Sequence, residues 1–151
     1  MTDGNILRLL KLKIPVLWFL GPRIVRVDRE GAEIRIPLTW RTRNHLRVMY
    51  VGALCAGADL AAGMGAARHI FGGGERIDLL FKDLHAEFLK RADGDVHFRS
   101  SQGAQVAEAV ALTRRTGERV TIPVEVVATV PARYGEEPVA RFTMGLTMKR
   151  R

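Results

Sequence analysis

The sequence predicts an α+β fold in which about six antiparallel strands form a curved sheet around one central helix. Two observations indicate this arrangement. Stretches in which apolar and polar residues alternate, as in strands with one exposed face, lie on both sides of a long helical segment. That segment, residues 48–68, carries small side chains on nearly every side, as a helix requires when other backbones approach it closely.

The length and composition fit one domain spanning residues 1–151. A chain of 151 residues, 47% of them hydrophobic, can bury a substantial core without disulfides. The single cysteine, Cys55, excludes an intramolecular disulfide and a multi-cysteine zinc site. The apolar run 14–20 is too short to cross a bilayer, so we expect a cytoplasmic protein without an integral membrane segment.

The formal net charge of +8 predicts anionic partners, which include coenzyme phosphates, nucleic acid and acidic lipid. The arginines are scattered, and no zinc-finger, basic-zipper or aromatic RNA-binding motif is present, so no specific nucleic-acid binding is expected. Residues 5–21 combine Leu, Ile and Trp18 with Arg8, Lys11 and Lys13. A helix that packs on its own domain and one that lies on a membrane surface share this pattern.

Before the central helix, the pattern predicts one helix and a β-hairpin. Residues 5–12 read as a short helix, which Pro15 and the pair Gly21-Pro22 interrupt. Residues 24–27 and 32–38 alternate apolar and charged side chains and are separated by turn residues, as two hairpin strands are.

After the central helix, Gly72-Gly73-Gly74 predicts a turn, because no Lys-Ser/Thr follows as in a phosphate-binding loop. Four strands and one helix then follow in order: strands 77–90 and 95–100, the helix 103–115, and strands 119–130 and 138–149. Asp93-Gly94 predicts the turn between the first two of these strands, and Gly117 the end of the helix. We therefore expect the strands to be linked mostly as hairpins.

Asp59 is the one charged residue between Val48 and Ala67. A carboxylate on an apolar helix is costly to bury alone, so Asp59 either pairs with a nearby arginine or is functional. Gly52 lies near the helix start, where free N–H groups and the helix dipole can hold a carbonyl oxygen that gains negative charge. Asp59 follows about two turns later on the same face, and Asn44 lies in the loop that leads to this helix end.

The stretch 44–59, NHLRVMYVGALCAGAD, resembles the active-site segment of hot-dog thioesterases of the phenylacetate-pathway type. In that family an Asn is followed six residues later by His-Gly-Gly, and an Asp comes nine residues after the His. Asn44, Gly52 and Asp59 match the Asn, the second glycine and the Asp, whereas Tyr50 and Val51 replace the His and the first glycine. The similarity in element order covers residues 20–150. The extra helices indicate a divergent branch, like bacterial thioesterase-like proteins without assigned substrates.

The resemblance implies a hot-dog fold and hydrolysis of an acyl-CoA or acyl-carrier thioester without a cofactor. It also implies a homodimer or dimer of dimers with the pocket between protomers. Gly52 would donate to the thioester oxygen, Asp59 would act as base or nucleophile, and Asn44 would position the substrate or water. Three further residues would contact the substrate: Arg47, Tyr50 and Val51. The four histidines are scattered without ligand spacing, so no metal site is expected.

Two other hypotheses stay open at this point. Because Tyr50 stands where the family has its histidine, the protein could be a non-catalytic acyl- or lipid-binding hot-dog protein. The basic charge also allows a scaffold for nucleic acid or an anionic membrane. If the scattered arginines serve coenzyme A, an acyl-CoA should bind more tightly than a free nucleotide.

Overall fold

The computed structural model describes residues 1–71 and 73–151 and has the hot-dog fold, with one long helix enclosed by a curved antiparallel sheet. The predicted fold class is therefore confirmed; Gly72, in the predicted glycine turn, lies outside the described residues. The elements follow in this order: α1 (Asp3–Lys13), α2 (Pro15–Leu20), β1 (Arg23–Val27), β2 (Ala32–Ile36), α3 (Val51–Ile70), β3 (Ile77–Phe88), β4 (Val96–Ser100), α4 (Gly103–Thr116), β5 (Val120–Thr129), α5 (Pro131–Tyr134) and β6 (Pro138–Arg150).

The six strands form one antiparallel sheet in the order β1-β2-β4-β5-β6-β3. Alternation along each strand decides which face is buried. In β6, for example, Phe142, Met144, Leu146 and Met148 are buried, whereas Arg141, Thr143 and Lys149 are exposed. The inward side chains pack on α3, so the core lies between this helix and the concave face of the sheet.

The predicted pairing of consecutive strands was only partly correct. β1 with β2 and β5 with β6 form hairpins, but β3 pairs with β6, and β4 pairs with β2 and β5. Asp93-Gly94 thus precedes β4 without closing a hairpin. Two hydrogen bonds instead hold the loop between β3 and β4 against the segment between β2 and α3. Asp95 Oδ1 accepts from Leu38 N–H at 2.9 Å, and Ala92 O accepts from Met49 N–H at 2.9 Å. Turn residues predict a reversal of the chain but not the strand with which it then pairs.

Two short helices were also missed by the sequence interpretation. Pro15 ends α1, as expected, but it also occupies the first position of α2. A backbone N–H at that position would have no intrahelical acceptor, so proline costs no hydrogen bond there. Gly21, with φ of 67°, then ends α2 in the left-handed conformation. Pro131 starts the single-turn helix α5 in the same way. Within the described residues, no helix has the length and apolar character needed to cross a membrane.

The small residues of α3 allow close packing, and Gly57 shows this most directly. A Cβ at Gly57 would overlap the ring of Phe98, which is completely buried in β4. A Cβ at Gly65 would lie 3.8 Å from the nearest side-chain atom, on Val106 of α4, which is an ordinary contact distance.

We therefore expect Gly57→Ala to lower the free energy of unfolding by about 1–3 kcal/mol, because the ring of Phe98 has no space into which it can move. Gly65→Ala is the matched control. It gains the same helix propensity, roughly 1 kcal/mol, without a clash, and should stabilise the protein. Urea unfolding of both variants measures the difference. Equal stabilisation by the two substitutions would contradict the close packing of α3 on β4.

Candidate active site

A cavity of about 690 Å³ lies between the N-terminal helices, α3 and β3. Its wall is mostly apolar, and three side-chain carboxylates from the described residues line it. Those of Glu75 and Asp78 form ion pairs with Arg114 and Arg151, whereas that of Asp59 lies among the apolar groups. Charged side chains from the start of β3 and the chain end, including Arg76 and Arg151, also contribute to its lining. The apolar wall consists largely of these residues: Leu10, Ile14, Leu17, Leu60, Ile70 and Leu79.

Asp59 is half-buried, and burial raises the pKa of its carboxyl group above the ordinary value of 3.8. Among the residues that the structure describes, no hydrogen bond or neighbouring charge lowers that pKa again. Arg68, one of the arginines close to it in sequence, instead lies 3.6 Å from the carboxylate of Asp3. The structural alternative, an Asp59–arginine ion pair, therefore finds no support in the described residues. A partly enclosed carboxyl group without a partner, facing a cavity, is a candidate for acid–base chemistry.

The N-terminus of α3 presents free backbone donors. The first intrahelical bond runs from Leu54 N–H to Tyr50 O, and Gly52 N–H has no acceptor among the described residues. Tyr50, at the N-cap position, places its half-exposed ring over Gly52, so that a Cβ at Gly52 would overlap the ring. Val51 is also exposed. An incoming carbonyl oxygen could reach Gly52 N–H only beside this ring.

Asn44 shapes the turn that precedes α3. Its side-chain Oδ1 accepts from Leu46 N–H at 2.9 Å and from Val48 N–H at 3.3 Å. In the same turn, Arg47 adopts a φ of 62°, the only non-glycine residue with a positive φ among those described. Because its oxygen is engaged, Asn44 can contribute to binding only through its amide N–H groups or by holding the turn.

The predicted site residues thus fall into two groups. Asn44, Arg47, Tyr50, Val51 and Gly52 lie together in the turn and first helical positions of α3, and none of them lines the cavity. Asp59 lies seven residues further on, a rise of about 10 Å along the helix. A general base acts on a carbonyl group directly or through one water molecule, so a rise of about 10 Å makes it difficult for Gly52 and Asp59 of a single chain to act on the same carbonyl group.

The N-terminal wall of the cavity was not anticipated from the sequence. Leu10 and Leu17 point into the cavity from α1 and α2, and Ile14 joins them between the two helices. The apolar positions of residues 5–21 favoured a helix packed on its own domain and were also compatible with contact to a membrane, but they did not indicate a cavity. Cys55 has its thiol pKa raised by burial, which disfavours a nucleophilic thiolate.

Strand β3 forms one edge of the sheet and is unusually exposed. It is 12 residues long and pairs on one side only, with β6. Leu80, Leu84 and Phe88 on this strand are exposed apolar side chains. Long apolar edge strands invite pairing with another chain, so this edge is a candidate surface for self-association.

The model of the family described as a domain of unknown function (DUF4442) matches residues 3–147. No curated protein matches the sequence. Among solved structures, a Chlorobaculum tepidum protein of unknown function has a TM-score of 0.85 at 13% identity, over 99% of this chain and 94% of that chain. A Pseudomonas aeruginosa protein described as a "probable thioesterase" has 0.78 at 19%, over 100% and 97%. A Haemophilus influenzae thioesterase has 0.71 at 15%, over 99% and 92%. At these identities, the similarity concerns the fold.

Proposed function

The chain belongs to the family described as a domain of unknown function (DUF4442), and we propose that it hydrolyses acyl thioesters of coenzyme A or of an acyl carrier. The observation that carries the proposal is Asp59. Its carboxyl group has no partner among the described residues, has a raised pKa and faces a largely apolar cavity. The N-terminus of α3, the helix that carries Asp59, offers free backbone N–H donors. A raised pKa makes a carboxylate a stronger base at neutral pH.

In the proposed reaction, the Asp59 carboxylate removes a proton from water, and the water oxygen forms a bond to the thioester carbonyl carbon. Gly52 N–H donates to the carbonyl oxygen as that atom becomes negative. The carbon–sulfur bond then breaks, and the thiolate takes up the proton from Asp59. Direct attack by Asp59 on the carbonyl carbon would instead form an anhydride as the carbon–sulfur bond breaks and the thiolate leaves, and water would hydrolyse the anhydride in a second step.

We further propose that Gly52 and Asp59 of one reaction centre come from two protomers. The rise of about 10 Å between them along α3 supports this. If Gly52 comes from a second chain, its distance from Asp59 is no longer fixed by the helix. Strand β3 supports it too, because antiparallel pairing of two β3 edges would cover exposed Leu80 and Leu84 in a continuous sheet.

The cavity favours an unbranched aliphatic acyl group. A methylene group fills about as much space as a water molecule, roughly 30 Å³, so a cavity of 690 Å³ has space for an acyl chain of at most about 23 carbons. An acetyl group or a single aromatic ring would leave most of its apolar wall uncovered. The scattered arginines, Arg47 among them, would hold the coenzyme phosphates.

A screen of straight-chain acyl-CoA esters and phenylacetyl-CoA for thiol release tests the proposal. We expect kcat/KM to rise with chain length up to the capacity of the cavity. Acyl-CoA binding with the same length dependence but without thiol release would instead favour a non-catalytic acyl-binding protein. Neither binding nor release with any ester would refute both functions.

Gly63 provides a test of the acyl cavity. It lines the cavity, and a Cβ there would lie 3.5 Å from Leu79, an ordinary contact distance, so Gly63→Ala places a methyl group in the cavity without strain. Because one methylene in an apolar pocket is worth about 10-fold or more, we expect kcat/KM for the longest accepted chain to fall roughly 10-fold. Gly65→Ala, which faces Val106 and not the cavity, should leave the preference for chain length unchanged. The same loss in both variants would contradict the proposal that this cavity holds the acyl chain.

A further inference from the structure

The outward side of the N-terminal helices carries a concentration of exposed apolar residues. We call this surface the aromatic face and define it by five residues: Leu12, Val16, Trp18, Phe19 and Trp40. Leu12, Trp18 and Trp40 have 78%, 64% and 72% of their surface exposed. The rings of Phe19 and Trp40 meet edge to face at 6.0 Å, which joins the loop after β2 to α2. Packing within the chain therefore leaves this surface uncovered.

The helices α1 and α2 are already packed on their other side. Ile6 and Leu7 of α1 and Leu17 and Leu20 of α2 are buried in the core. The aromatic face is thus an additional apolar surface and not the core-facing side of a displaced helix. Exposed apolar patches of this kind mark surfaces that contact another molecule or a membrane.

The segments of the chain that supply the aromatic face carry charge of one sign. Residues 4–27 and 34–58, which supply the whole face, contain no aspartate or glutamate. The cations nearest in sequence form no ion pair with any described acidic residue: Arg8, Lys11, Lys13, Arg41 and Arg43. Arginines elsewhere do find carboxylates, as Arg99 does with Glu136 at 3.0 Å and Arg133 with Asp93 at 3.1 Å. The guanidinium of Arg41 lies over the ring of Phe19, 5.7 Å from its centre.

We propose that the aromatic face docks on an anionic lipid bilayer. Tryptophan and leucine side chains would enter the boundary between headgroups and acyl chains, while the unpaired cations contact the lipid phosphates. A nucleic acid would satisfy the cations but would leave Leu12 and Val16 in water. A second copy docked face to face would bring the cations of both chains together without an acidic partner. The chemistry of an acidic membrane surface matches both features.

The tryptophans make the proposal directly measurable, since both tryptophans of the chain, Trp18 and Trp40, belong to the aromatic face. The full chain is mixed with vesicles of phosphatidylcholine alone, or of phosphatidylcholine with about one third phosphatidylglycerol. We expect a blue shift of tryptophan emission and co-sedimentation with the anionic vesicles, both weakened by salt.

Two variants and one control separate the contributions of the cations and of the apolar side chains to vesicle binding. Each cation near an anionic surface contributes about fivefold to binding, so Lys11→Gln with Lys13→Gln should weaken vesicle binding roughly 25-fold. Leu12→Gln should weaken it by removing an inserted side chain. Leu112→Gln, which changes an exposed leucine on α4, should have no effect.

Three results would overturn the proposal. One is equal binding of the wild type to neutral and anionic vesicles, and another is the absence of any blue shift. The third is a blue shift that depends on protein concentration without vesicles, which would assign the face to contact between two copies. None of these measurements requires hydrolysis of a thioester, so they stand apart from the proposed function.

Discussion

Asp59→Asn is expected to lower kcat for the best acyl-CoA substrate by about 10²–10⁴, because a positioned base contributes that much. The amide has nearly the size of the carboxylate but cannot accept the proton of the attacking water. KM should change little, since the acyl cavity keeps its shape. Unchanged turnover would exclude Asp59 from the chemistry.

The same substitution should raise the melting temperature at neutral pH. Burial raises the pKa of Asp59 in the folded state above its unfolded value. The proton is therefore held more tightly by the folded protein, and stability is lost as pH rises through the folded pKa. Asparagine avoids this loss, and the difference in melting temperature should disappear below the ordinary pKa of 3.8 that the carboxyl group has in the unfolded chain. A lower melting temperature at pH 7 would indicate instead that Asp59 stabilises the fold as a partner of a cation.

Gly52→Pro is expected to lower kcat by about 10²–10³, the cost of removing one donor to a developing oxyanion. Proline removes the Gly52 N–H, and the first turn of a helix tolerates a residue without this group. Gly52→Ala is the matched control, because it keeps the N–H. Its Cβ displaces the ring of Tyr50, which is half-exposed and free to move. Activity should stay within a few fold in the alanine variant, and an equal loss in both variants would mean that space at Gly52 matters and not its donor.

The strands and long helices could be predicted because they depend on local patterns. The small residues of α3 and the alternation of apolar and polar residues in β6 are both visible in the sequence. Both patterns reflect which side chains are buried. The central helix, predicted over 48–68, occupies Val51–Ile70, and the predicted helix 103–115 is confirmed as α4, with Gly117 at its end in the left-handed conformation. The position of β3 beside β6 depends on contacts between distant residues, which no local pattern encodes.

The candidate site was predictable only as a set of residue types. Asp59 stood out because it is the one charged residue between Val48 and Ala67, and its partial burial without a partner among the described residues agrees with that signal. The separation of Gly52 from Asp59 along α3 and the engagement of Asn44 Oδ1 with backbone donors are geometric facts. The cavity wall formed by Leu10 and Leu17 arises only when α1 and α2 fold back on α3, so sequence could not place it.

We propose that one reaction centre uses Asp59 of one protomer and Gly52 of another, and a mixed dimer tests this most directly. Co-expression of an Asp59→Asn chain and a Gly52→Pro chain with different tags allows the mixed dimer to be purified through both tags. Each parent alone should be nearly inactive. The mixed dimer contains one centre with an intact Asp59 and an intact Gly52, so about half of the wild-type turnover per dimer should return. A mixed dimer as inactive as its parents, or a wild-type protein that is monomeric while it hydrolyses acyl-CoA, would contradict the claim.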